Sequence, residues 1–129
     1  MIHLMTRVSD DEFEEMVGWA VSAIPPQFAQ RLDNVAFMTA DTPTSGQLRA
    51  GGILHPGVTL LGLYEGIPLP KRSGGYNGAV PDIVTIFKRP HEAMAHDKAD
   101  LARAVHETVW HEVAHYFGLN HGQIRALKT

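Results

Sequence analysis

The sequence predicts an α+β fold: a short mixed sheet of about three to four strands packed on helices, one of them long and central. Three observations carry this. The 129 residues suit one domain, spanning 1–129. Short apolar segments of strand character cluster between residues 34 and 87, with helical patterns outside them. Residues 97–117 then hold a helical repeat covered on most sides.

Each element follows from its residues. Ser9-Asp10-Asp11-Glu12 has capping-box spacing, with acidic groups where the helix dipole favours them. Phe13, Met16, Val17, Ala20 and Ile24 recur at helical spacing, and Pro25-Pro26 ends that helix. A short helical piece is expected from Gln27 to Leu32. Asn34 to Ala40 reads as a strand, and Asp41 to Gly52, rich in Thr, Ser, Pro and Gly, as a loop. Val58 to Tyr64 is a second strand. Glu65 to Pro81 is a long connection, and loops of that length in small domains often serve function. Ile83 to Phe87 is a third strand, rich in β-branched residues. Pro90 opens a short helix through Met94.

Asp97 to Phe117 is the main helix, with Asp97 placed to cap it and Gly118 to end it. At about 100° per residue, Leu101, Val105, Val109, Val113 and Tyr116 share one broad stripe. Trp110 and Phe117 lie beyond one edge, and Arg103 and Glu107 form the wet strip. A short tail helix is expected from Gly122.

Composition removes several function classes. The net charge is −3, with no run of Lys or Arg, so no nucleic-acid partner is expected. Cysteine is absent, which excludes disulfides, thiol catalysis and thiolate zinc sites. A basic stretch followed by an apolar run is missing at the N-terminus, and no segment reaches the ~20 apolar residues of a membrane span. The expected setting is cytoplasmic, without a membrane partner.

The chemistry concentrates in His111-Glu112-Val113-Ala114-His115, followed by Gly118 and His121. Residues four apart share a helix face, so His111 and His115 can reach one ion. Hydrolytic zinc sites take three protein ligands and leave a fourth position for water. Glu112 points in an adjacent direction, where it can serve as general base toward that water and then return the proton. Gly118 can adopt the left-handed turn that swings the chain back and brings His121 in as third ligand. One Zn2+ per chain is expected, with a peptide or protein as substrate.

Other polar residues carry less. His91 and His96 have the wrong spacing for one face, and His106 projects away; with His3 and His55 they read as surface histidines. Met94 reads as core. Tyr76, within Gly74-Gly75-Tyr76-Asn77-Gly78, is a candidate substrate-binding group, as an oxyanion donor on a loop or else a loop anchor. Arg72 and Tyr64 stand between the same alternatives.

His111 through His121 matches the extended metzincin pattern residue by residue. Eight residues follow His121 and none is Met, so the methionine turn of standard metzincins is missing. A likeness over almost the whole chain comes from Pro25-Pro26 with Asn34-Val35-Ala36, the run Leu60 to Gly66, the run Pro81 to Phe87, and the terminal motif. Together these resemble the minimal zincin-like metallopeptidase family of bacterial proteins. The resemblance implies a small zincin core and zinc peptidase chemistry. It also implies that the strand from Ile83 to Phe87 lies near the metal helix, where zincins bind substrate backbone by strand addition. The family commonly has Asp at the third ligand position; His121 keeps a ligand there and changes the charge by one unit.

Two other readings compete. A ribonuclease family shares the His-x3-His-x5-His spacing but lacks a glutamate after the first histidine. A zincin core kept as a metal-stabilised binding or regulatory module needs no substrate pocket.

Overall fold

Ser9 starts the first helix as its spacing predicts. Its hydroxyl accepts the Glu12 N–H at 3.0 Å, and α1 runs over Asp10–Ser22. The computed structural model describes residues 5–53, 57, 59–76, 78, 80–119, 122–123 and 126. A four-residue helix, α2 (Pro26–Ala29), follows the proline pair. Then come β1 (Val35–Ala40), α3 (Ser45–Ala50), β2 (Gly62–Glu65), a 3₁₀ turn at Leu69–Lys71, β3 (Asp82–Phe87), α4 (Lys88–Met94) and α5 (Lys98–Tyr116). Gly122, Gln123 and Ala126 are helical in the tail. His3, His55, Val58 and His121 lie outside the described residues.

The sheet is mixed, as expected, with strand order β1-β3-β2. β1 pairs parallel with β3 and β2 pairs antiparallel with it. The strand expected beside the metal helix, β3, is therefore central. It already has a neighbour on each side and cannot take up an added substrate strand. The edges of the sheet are β1 and β2.

Alternation along β3 turns Val84 and Ile86 toward α5, where they join Leu101, Val105, Val109 and Val113 in one core. Register places Phe37 and Tyr64 on either side of Val84, and Gly62 opposite Ile86. The helix-facing side of the sheet is thus full at Tyr64 and bare at Gly62. α1 covers α5 from the other side through Phe13, Val17 and Ala20. The whole apolar stripe predicted for α5 is buried, while Arg103 and Glu107 are exposed.

Three further expectations change. Asp41 to Gly52 contains α3, because Thr44 and Gln47 form a reciprocal capping box: the Gln47 N–H donates to Thr44 Oγ1 at 3.1 Å and the Thr44 N–H to Gln47 Oε1 at 2.9 Å. His91 is fully buried rather than a surface histidine, because α4 turns it into the core. Its Nδ1 lies 2.6 Å from the Phe87 carbonyl oxygen and its Nε2 2.8 Å from Thr108 Oγ1. Met94 is 52% exposed rather than core, because it sits in the last turn of α4 where the chain leaves the core.

Candidate metal centre

The site is built on the C-terminal half of α5. Asp97 caps its start, its carboxylate accepting the Asp100 N–H at 2.7 Å. The end is a Schellman motif: the Gly118 N–H donates to the His115 carbonyl at 2.9 Å and the Leu119 N–H to the Ala114 carbonyl at 3.0 Å. Gly118 adopts φ +74°, and a Cβ there would sit 2.9 Å from Pro70 Cγ. Glycine is required twice over, by conformation and by the loop packed against it.

Within that helix His111 and His115 stand one turn apart, half-buried, with ring centroids 4.8 Å apart and planes at 81°. One ligand atom from each of His111, Glu112 and His115 lies within 4.8 Å of the others. Two imidazoles beside a carboxylate, in a chain without cysteine, form the nitrogen–oxygen donor set that suits zinc. His121, the expected third ligand, falls outside the described residues.

Glu112 also lies against β2 and is 7% exposed. Burial pushes its carboxyl up to about 7, against a smaller downward pull from the Tyr64 backbone N–H. Gly62 makes the approach possible. A Cβ at that position would lie 2.8 Å from Thr108 Cγ2 and 3.1 Å from Glu112 Cγ.

The outer edge of β2 follows from the ladder. The Phe87 N–H donates to the Leu61 carbonyl at 3.0 Å, and Leu63 faces Thr85 two residues on. In an antiparallel pair, hydrogen-bonded positions alternate. Leu61 and Leu63 therefore bond inward, while the backbone groups of Gly62 and Tyr64 point to the open side. The Tyr64 N–H meets Glu112 there.

Two cavities flank this edge. One, of about 490 Å³, brings His111, Glu112 and His115 together with β2, Gly51 and Pro68. The other, of about 400 Å³, shares Gly62, His111 and Glu112 and extends toward Met94 and Ala104. Among the described residues lining them there is no Lys or Arg.

Tyr76 lines neither. Its ring lies 4.3 Å from the Arg72 guanidinium, and its hydroxyl accepts from Asn34 Nδ2 at 3.3 Å. Arg72 is clamped in turn. It donates to Asp82 Oδ2 at 2.7 Å, to the Ile67 carbonyl at 3.0 Å and to the Asp33 carbonyl at 3.1 Å. The Tyr64 hydroxyl donates to the same Asp82 oxygen at 2.6 Å, a contact that together with burial raises the phenol above its usual range. These side chains tie the 66–81 connection to β3. The cavities are lined instead by Gly51, Gly62 and Thr108, which carry no motif, and by Met94, expected in the core. Only the capping box at Thr44 carried a local signal for that wall. A sheet glycine opposite a helix has none.

A family model described as zincin-like metallopeptidase matches residues 32–129. That stretch holds the three strands, α3 to α5 and the histidine motif, and leaves α1 outside. No curated protein matches the chain.

Proposed function

The chain belongs to the zincin-like metallopeptidase family, and from that premise we propose that it hydrolyses peptide bonds with one bound zinc ion. His111, His115 and His121 are the ligands in this reading, and Glu112 moves the proton. The observation that carries it is the setting of Glu112: a buried carboxyl, raised to about 7, beside two half-buried imidazoles and the open backbone of an edge strand. A closed structural zinc site gives a glutamate in that place no duty.

When bound, zinc supplies Lewis acidity toward the scissile carbonyl and the attacking water. The protein does the rest. Glu112 would take the proton from that water and deliver it to the departing amine. Its burial keeps bulk water from competing for that proton. The outward backbone groups of Gly62 and the Tyr64 carbonyl offer an extended peptide a strand to pair with, which fixes the scissile bond against the α5 face. Among the described residues the cavity walls carry no Lys or Arg, which disfavours a phosphodiester.

The test is direct. The purified protein is expected to bind one zinc and to cleave an unstructured peptide library. Glu112→Ala is expected to retain the zinc and lose cleavage by at least 10²-fold, the lower end of what a positioned acid–base contributes. Zinc-loaded protein that cuts no peptide would leave a metal-stabilised binding module. Cleavage of RNA surviving Glu112→Ala would make it a nuclease.

A further inference from the structure

The cavity of about 400 Å³ beside His111 has a composition that names what it takes. Leu60, Leu61, Met94 and Ala104 make its walls apolar. The floor is apolar as well. Thr108 commits its hydroxyl to His91 Nε2 at 2.8 Å and to the Ala104 carbonyl at 3.0 Å, and its methyl group is what lies against Gly62. Met94 is 52% exposed, a large flexible side chain held at an opening rather than packed. Glu107 is exposed at the edge, and beyond His111 and Glu112 it is the charged side chain among the described residues lining this cavity. The cavity shares Gly62, His111 and Glu112 with the metal-side cavity, so a chain paired along β2 would direct one side chain into it.

We propose that this cavity is a side-chain subsite for a residue with a long aliphatic stem and a cationic end, lysine or arginine, adjoining the scissile bond. Leu61 and Met94 pack on the stem, which keeps contact with the apolar wall while the charge reaches outward. Glu107 pairs with the charge. The inference rests on the peptidase reading of the same site and names its substrate class. Short aliphatic residues leave the outer half empty, and acidic residues meet Glu107 with like charge.

Binding separates this inference from the peptidase reading. The zinc-loaded protein is titrated with the hydroxamates of Nα-acetyl-lysine and Nα-acetyl-norleucine, whose stems match and whose ends differ by a charge. The lysine compound is expected to bind about two- to fivefold more tightly, the range of a partly exposed ion pair. Glu107→Gln is expected to abolish that ratio and Glu107→Lys to invert it. Met94→Ala is expected to weaken both compounds alike, leaving the ratio unchanged. Equal binding of the two compounds, failure of both to bind, or a ratio unmoved in Glu107→Lys overturns the subsite. In the peptide library, cut sites enriched in Lys or Arg at one adjoining position support it. Abundant cutting without that enrichment overturns the subsite and leaves the peptidase reading standing. Selective lysine binding with no cutting does the reverse.

Discussion

In the proposed reading Glu112 is the residue on which function and stability oppose each other. In the metal-free protein its carboxyl is raised to about 7 from an ordinary 4.5. Between those values the folded state binds more protons than the unfolded state, so stability is greatest below 4.5 and falls as pH rises through 7. Glu112→Gln has no proton to lose. At about 1.4 kcal/mol per pH unit, the metal-free Glu112→Gln protein is expected to be more stable than wild type at pH 8 by up to about 3 kcal/mol, with no difference at pH 4. Urea denaturation at the two pH values checks it, and equal midpoints at pH 8 would show that the carboxyl is not desolvated. His91 acts with the opposite sign. Burial lowers its pKa against a smaller upward pull from the Phe87 carbonyl. The unfolded chain takes up the proton first, so this contribution is present above about 6.5 and is lost as pH falls below it. An NMR titration is expected to find the His91 midpoint below that of a free imidazole. The identity of these groups was plain in the sequence. Their opposed environments were not, since burial is set by residues up to 50 positions away, as Gly62 is from Glu112.

At the scale of elements, two glycines set the geometry. Gly118 holds φ +74° with Pro70 at its back, and it ends α5. Gly118→Ala is expected to cost about 1–2 kcal/mol from the left-handed backbone alone, and to weaken zinc binding because the exit from α5 shifts. Isothermal titration with zinc checks the second part; unchanged affinity would mean that His121 is positioned by something other than this turn. Gly62 lets β2 lie against Thr108 and Glu112. Gly62→Ala is expected to lower kcat/KM by about 10²-fold, the effect of roughly an ångström of displacement at a reacting centre, with the zinc content unchanged. The first glycine was legible, because a helix pattern ended there. The second was not, because its need arises between a strand and a helix 46 to 50 positions on.

For the whole molecule, the long connection before β3 is held by one cation. Arg72 joins Asp82 of β3, the carbonyls of Asp33 and Ile67, and the rings of Tyr76 and Tyr116. Removing it strands a buried Asp82 carboxylate, so Arg72→Ala is expected to cost about 3–5 kcal/mol. Thermal unfolding checks this, and a loss below 1 kcal/mol would show that the tyrosines hold the connection without it. By contrast the exposed Lys98 and half-buried Glu12, 3.0 Å apart, add little to the contact between α1 and α5, which rests on Phe13, Val17 and Leu101. Among the described residues no helix is long and apolar enough to cross a membrane.

The sequence by itself determined α5 and what it carries. A repeat of 3.6 residues, a capping aspartate and a terminating glycine are local signals, and they put His111, Glu112 and His115 on one turn. Strand character was legible in the same way, since short apolar runs and β-branched residues act within a few positions. The tertiary structure decided what lies opposite. Strand order put β3 in the centre and β2 at the edge, and that order depends on pairings between distant segments that no local pattern encodes. It also decided that Met94 opens onto the cavity beside His111, that His91 closes the core beneath it, and that a glycine faces the buried Glu112. Each depends on contacts made across the chain, and those exist only once α5 has docked on the sheet.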